Sequence, residues 1–155
     1  MGISAKQYQS RLSPLLSQSK LKEIVTTIVL SDQERLKERK VNEFTQGERP
    51  NGEKIGEYSS SSIGAEYAFF KNRINPLAGM GNVDLMLTRS FTNKMFVIQS
   101  GKGYIFNSSD NKRGNLIAKY GTDIMGLNQD WFNNRQSEIY RITLLYLIKQ
   151  NYNIG

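Results

Sequence analysis

The sequence predicts one α+β domain, and three observations carry that reading. Two long stretches free of glycine and proline hold apolar residues at helical spacing. The middle of the chain offers short runs rich in β-branched and aromatic residues. Two of those runs flank a Ser-Gly-Lys-Gly turn signal. At 155 residues the chain has room for one ordinary core and little for a second. The expected division is an N-terminal arm at 1–19, the domain at 20–150 and a short polar tail at 151–155.

The arm mixes polar residues with a few apolar ones, and Pro14 interrupts any earlier helix. Tyr8, Leu12, Leu15 and Leu16 give it enough apolar surface to dock on a neighbouring subunit or on its own domain. From Lys20 to about Gln46, Leu21, Ile24, Val25, Ile28, Leu36 and Phe44 recur at helical spacing, which predicts a long N-terminal helix. Ser31 followed by Glu34 has capping-box form and marks a break point near residue 31. Gly47 and Pro50 end the element.

Residues 47–62 read as turn, short strand at Lys54–Tyr58, then loop. The glycines there are not followed by the Gly-Lys-Ser/Thr pairing of a phosphate-binding loop. Next comes an aromatic-basic cluster of Tyr67, Phe69, Phe70, Lys71 and Arg73. Such interleaving serves single-stranded nucleic acid in some proteins, but adjacent phenylalanines without an RNP-type pattern more often anchor a core or a subunit interface. Tyr67, Phe69 and Phe70 are therefore candidate interface residues. Val83–Leu87 reads as a further strand and Thr88–Lys94 as one helical turn. Met95–Gln99 and Tyr104–Asn107 read as a β-hairpin. About four strands in a small antiparallel sheet, covered on one face by helices, are expected.

Two C-terminal helices complete the domain. Asp110–Tyr120 starts on an aspartate and ends at Gly121. Gln129–Gln150 carries the stripe Trp131, Arg135, Ile139, Ile142 and Tyr146, widened by Leu145 and Ile148, which predicts burial on more than one side.

The chain has no cysteine and no histidine, which removes disulfides, thiolate chemistry and the usual neutral-pH base and metal ligand. Carboxylate, lysine, serine or tyrosine chemistry remains open. Its carboxylate candidates have plainer roles: Asp110 at a helix start, Asp123 in a turn, Asp84 in a short strand near basic residues. Glu53, Glu57 and Glu66 flank the glycine-rich loops as exposed interface charges. No catalytic motif, metal set or cofactor fingerprint is present, so no catalytic residue, metal or cofactor is expected. The net charge of +7 is spread as +3 over residues 1–50 and +4 over 51–155, unlike a concentrated DNA-binding arm. No stretch has the length and apolarity of a membrane span, and residues 1–19 lack the apolar core of a secretory signal. Synthesis and folding in a cytoplasm are expected.

Two segments, FTQGERPNGEKIGEYS at 44–59 and RGNLIAKYGTDIMGLNQD at 113–130, give the chain a family likeness. With the Gln-Gly turn, Asn-Gly, Ile-Gly-x-Tyr-Ser, VDLMLTRSF, the hairpin and Tyr-Gly-x-x-Ile-x-Gly-Leu in that order, residues 20–135 resemble small virion proteins of tailed bacteriophages. The likeness is to neck, head-tail connector or tail-completion proteins, with crAss-like phages a plausible source. It implies a non-enzymatic structural protein assembled in the host cytoplasm into the virion, as a homo-oligomeric ring joining portal to tail around the DNA channel. Portal and tail or ring proteins are then the partners, with no membrane. Lys71, Arg73, Lys112, Arg113 and Lys119 become candidates for nonspecific contact with packaged DNA. A sequence-nonspecific nucleic-acid-binding module is the alternative, and a carboxylate-based enzyme a third reading.

Overall fold

A computed structural model describes residues 17–101 and 103–152. The arm residues Tyr8, Leu12, Leu15 and Leu16 lie outside that range. Contacts group residues 17–32 with 131–152 as one compact unit and residues 33–130 as another.

The first unit begins with helix α1 (Gln18–Ser31). Its other members come from a continuous helical run: the end of α6 (Gln129–Arg135), a π-helical turn (Gln136–Tyr140) and α7 (Arg141–Tyr152). α1 packs against the π turn and α7, and Ile28, Val29, Phe132 and Tyr140 are buried. Phe132 and Tyr140 meet edge to face at 5.9 Å between ring centroids. Asp32, just beyond α1, accepts hydrogen bonds from Nε and Nη2 of Arg135 and from the Tyr140 hydroxyl at 2.7 Å. A π turn repeats at five residues, so Arg135 and Tyr140, five apart, reach the same carboxylate. The Asp32 hydrogen bond raises the Arg135 pKa above its ordinary value. Burial, with Asp32 next, raises that of Tyr140.

Of the predicted stripe, Trp131, Arg135 and Ile148 are half-buried while Ile139, Ile142, Leu145 and Tyr146 are exposed, and the buried positions are Phe132 and Tyr140. The expectation of burial on more than one side is thereby corrected.

The second unit is built on α2 (Gln33–Thr45). Its buried positions Leu36, Lys40, Glu43 and Phe44 form one helical stripe, and α2 packs on the strand β1 (Met95–Ser100). β1 pairs antiparallel with β2 (Gly103–Ser108), placing Met95 opposite Ser108 and Val97 opposite Phe106. Met95, Val97 and Phe106 face inward while Phe96 faces out, the alternation of a half-buried hairpin. Phe44 meets Phe91 of the short helix α4 (Ser90–Asn93) at 6.1 Å, inside the predicted helical turn. Helix α3 (Ser62–Ile74) lies earlier in the chain, and α5 (Arg113–Tyr120) comes after the hairpin and ends at Gly121. Among the described residues no helix is long and apolar enough to cross a membrane.

Two expectations fail. The long N-terminal helix is two helices, α1 and α2, separated at Asp32, whose backbone leaves helical geometry at φ −95°, ψ 8°. The Ser31 hydroxyl donates back to the Ile28 carbonyl at 2.7 Å instead of capping α2. The break is fixed by the Asp32 carboxylate, held by Arg135 and Tyr140.

The four-stranded sheet is a two-stranded hairpin. Residues 54–58 make only isolated bridges, Lys54 with Glu48 and Glu57 with Asn82, and residues 83–87 make none. Positive-φ glycines at 47, 52 and 81 turn the chain too often for a ladder to extend. Beyond them, the Asp84 side chain takes the Met86 N–H at 2.9 Å, a donor that a neighbouring strand would need.

The start of α3 rests on local contacts. Ser61 caps it by accepting from the Gly64 N–H at 3.2 Å, and a Cβ on Gly64 would collide with the Ser59 carbonyl oxygen. Urea unfolding should show Ser61→Ala losing about 1 kcal/mol. Gly64→Ala should lose roughly 1–3 kcal/mol through the clash. Equal and negligible losses would mean that the cap and the close approach do not hold the turn.

Candidate interaction surface

Helix α3 has unusual polarity. Its inward positions Ala68 and Lys71, with Asn75 just beyond its end, succeed one another at helical spacing and are buried. The Lys71 ammonium forms an ion pair with Oδ1 of Asp84. Nδ2 of Asn75 donates to Oδ2 of Asp84 at 3.1 Å and to the Thr45 carbonyl at 2.7 Å. With the Met86 N–H, three donors satisfy one buried carboxylate, which is the condition for a charge to sit inside a protein.

One exposed row of the same helix is apolar, beside exposed Glu66 and Arg73. Ile63, Tyr67, Phe70 and Ile74 recur at intervals of four, three and four residues and are exposed, Ile63 at 79% and Phe70 at 50%. Phe69, Leu77 and Met80 are exposed as well. Tyr58 packs edge-on against Tyr67 at 5.1 Å, and Tyr67 lies 6.3 Å from Phe70, so these rings are held in place. Scattered exposed apolar residues are ordinary, but an aromatic and aliphatic row such as this one, about a quarter-turn from the buried row, is a candidate interaction surface.

Of the interface residues predicted from sequence, Tyr67 and Phe70 share this row, while Phe69, exposed as well, falls on another side of α3. Ile63 and Ile74 join the row without having been predicted. Their signal was present in the four-three-four spacing, obscured because Lys71 and Arg73 interrupt it.

The predicted DNA contacts are not brought together in the same way. Lys71 is 2% exposed and committed to Asp84. Arg73 is exposed on α3, and Lys112, Arg113 and Lys119 are exposed at and along α5. Glu53, Glu57 and Glu66 are exposed as well.

The remaining charges inside the second unit are also paired. Lys40 and Glu43, both buried, meet at 3.0 Å, with the Lys40 ammonium 4.9 Å from the centre of the Phe44 ring. Burial lowers the Lys40 pKa against the opposing pull of Glu43. Arg39 Nε lies 3.3 Å from Oε1 of Glu43 without hydrogen-bond alignment. Arg49 bridges Asp123 and the carbonyls of Tyr120, at 2.9 Å, and Ile55, at 3.0 Å.

Asp110 accepts from the Ser90 hydroxyl and from the Lys112 N–H at 2.9 Å, and forms an ion pair with Lys94 at 3.4 Å. The Ser90 hydrogen bond, and after it that from the Lys112 backbone, holds the Asp110 carboxyl below its ordinary pKa. Among the described residues no group of three or more acidic side chains converges as a metal site.

No protein-family model matches the chain, and no curated protein or solved structure matches it.

Lys71→Met removes one partner of a buried pair and should cost about 3–5 kcal/mol in urea unfolding, whereas exposed Arg73→Met should stay within about 0.5 kcal/mol. Equal losses would place Lys71 at the surface. For Asp110, a depressed folded-state pKa adds stability that is complete above the unfolded value, about 3.9, and disappears as pH falls through the folded value. The stability gap between the wild type and Asp110→Asn should therefore be constant near neutrality and shrink below about pH 4. A gap independent of pH would exclude the carboxylate as its source.

Proposed function

We propose that this chain is a non-enzymatic structural protein that assembles with copies of itself, and that its place is the neck or tail connector of a tailed-phage virion, as the sequence resemblance implies. The observation that carries the assembly reading is the exposed apolar face of α3, formed by Ile63, Tyr67, Phe70 and Ile74. A second copy is the occupant, because each chain presents two such faces, one in each unit. The other is the exposed set Ile139, Ile142, Leu145 and Tyr146 of the C-terminal helical run. Head-to-tail assembly into a ring requires two different complementary patches on every subunit, and a single patch closes only a two-fold dimer. Aromatic anchors such as Phe70 dominate interfaces of this kind. In such a ring, exposed Arg73, Lys112, Arg113 and Lys119 are available to a DNA backbone without reading its sequence.

Light scattering over a range of protein concentrations, with and without duplex DNA, tests the reading. The wild type should self-associate without DNA. Phe70→Asp should weaken that association by about 2 kcal/mol or more while the far-ultraviolet circular dichroism stays unchanged. A protein that stays monomeric and binds duplex DNA with a steep salt dependence would replace this reading with the nucleic-acid module.

A further inference from the structure

The second unit contains a concave groove of about 250 Å³ that shares Tyr67 with the proposed assembly face and Lys112 and Lys119 with the proposed DNA contacts. Much of its lining is aromatic and aliphatic, with Tyr58, Tyr67, Leu85 and Leu87 joined by Leu116 and Tyr120 of α5. Lys112 and Lys119 also line it. Residues 112, 116 and 119 are spaced by four and three, so a leucine stands between two lysines on one helical face. Both lysines are exposed, and neither makes an ion pair among the described residues. Lys119 leans over the Tyr120 ring at 5.2 Å, which holds its ammonium at the lip.

We infer that this groove docks an acidic segment of a partner protein in extended form, with an apolar side chain between two carboxylates. Size argues against a cofactor, because pockets for such ligands usually run from about 300 to 1,000 Å³. Two polar groups of the groove are already engaged, Lys71 with Asp84 and the Thr88 hydroxyl with the Ser90 N–H. An aliphatic side chain can lie against the three leucines without leaving a polar group of its own unpaired.

Charge selects the flanks. Lys112 and Lys119 lie roughly 10 Å apart along the helix axis, and alternate side chains of an extended peptide share a face at about 6.6 Å intervals. An acid-x-apolar-x-acid segment places its carboxylates about 13 Å apart, within the combined reach of two flexible lysine stems, with the apolar anchor over Leu116. This surface is separate from the outward face of α3 apart from Tyr67, so its occupant need not be another copy.

The test uses the full chain and a fluorescein-labelled peptide amide, Glu-Ser-Leu-Ser-Glu, with fluorescence anisotropy as the readout. Saturable binding is expected, weakened at least tenfold by Lys112→Glu with Lys119→Glu and at least tenfold by serine in place of the peptide's leucine. Lys149→Glu, an exposed charge reversal in the first unit, should leave it unchanged. The inference is overturned by an absence of saturable binding up to about 1 mM, the weak end of specific affinity. It is also overturned if the leucine proves irrelevant, or if an oligothymidylate of about 12 nucleotides binds the same lysines more tightly and displaces the peptide. The self-association measured by light scattering is read separately, so either proposal can fail alone.

Discussion

The second unit depends on one buried carboxylate. Asp84 gathers the Lys71 ammonium, the Asn75 side-chain amide and the Met86 N–H, and through Asn75 it is linked to the carbonyl of Thr45 at the end of α2. Three segments distant in sequence are thereby held at one point. A two-stranded hairpin is marginal by itself and cannot enclose a core. The packing of α2 on β1, the Phe44–Phe91 contact and this polar junction together replace the larger sheet that the sequence predicted. The first unit uses the same device on a smaller scale, with Asp32 held by Arg135 and Tyr140.

Burying charge has a consequence for the surface. A helix that turns Lys71 inward has fewer inward positions left for apolar side chains, and on α3 these occupy the outer face. Buried ion pairs contribute little net stability compared with an apolar core, yet breaking one is costly, so such junctions favour a particular geometry over maximal stability. An exposed face of ordered rings is useful to an assembling protein because little conformational entropy is lost when the face is covered. The groove at α5 obeys a different rule, with apolar walls between unpaired lysines, and it fits a partner of opposite charge.

Local signals were legible in the sequence. The hairpin at 95–108, the helical turn at 90–93 and the helix ending at Gly121 all come from turn chemistry and short-range pattern. Tyr67, Phe69 and Phe70 stood out as anchors because adjacent aromatics are conspicuous. Long-range pairings could not be read. Lys71 looked like Arg73, a basic residue beside aromatics, and only its partner 13 positions later separates them. A break near residue 31 was legible from Ser31 and Glu34, but the bonds of Arg135 and Tyr140 to Asp32, 103 and 108 positions away, were not. The π turn brings Arg135 and Tyr140 to one carboxylate, an arrangement that a constant-period stripe cannot register.

Amide hydrogen exchange of the full chain, measured at low and high protein concentration, tests most directly whether charge holds the interior while apolar residues are kept for partners. The Met86 amide lies outside any helix or strand, yet its bond to Asp84 predicts strong protection at both concentrations. The amides of α3 should gain further protection only at high concentration, where their outer face is covered. Rapid exchange at Met86, as in an open loop, or α3 exchange independent of concentration, would contradict the account.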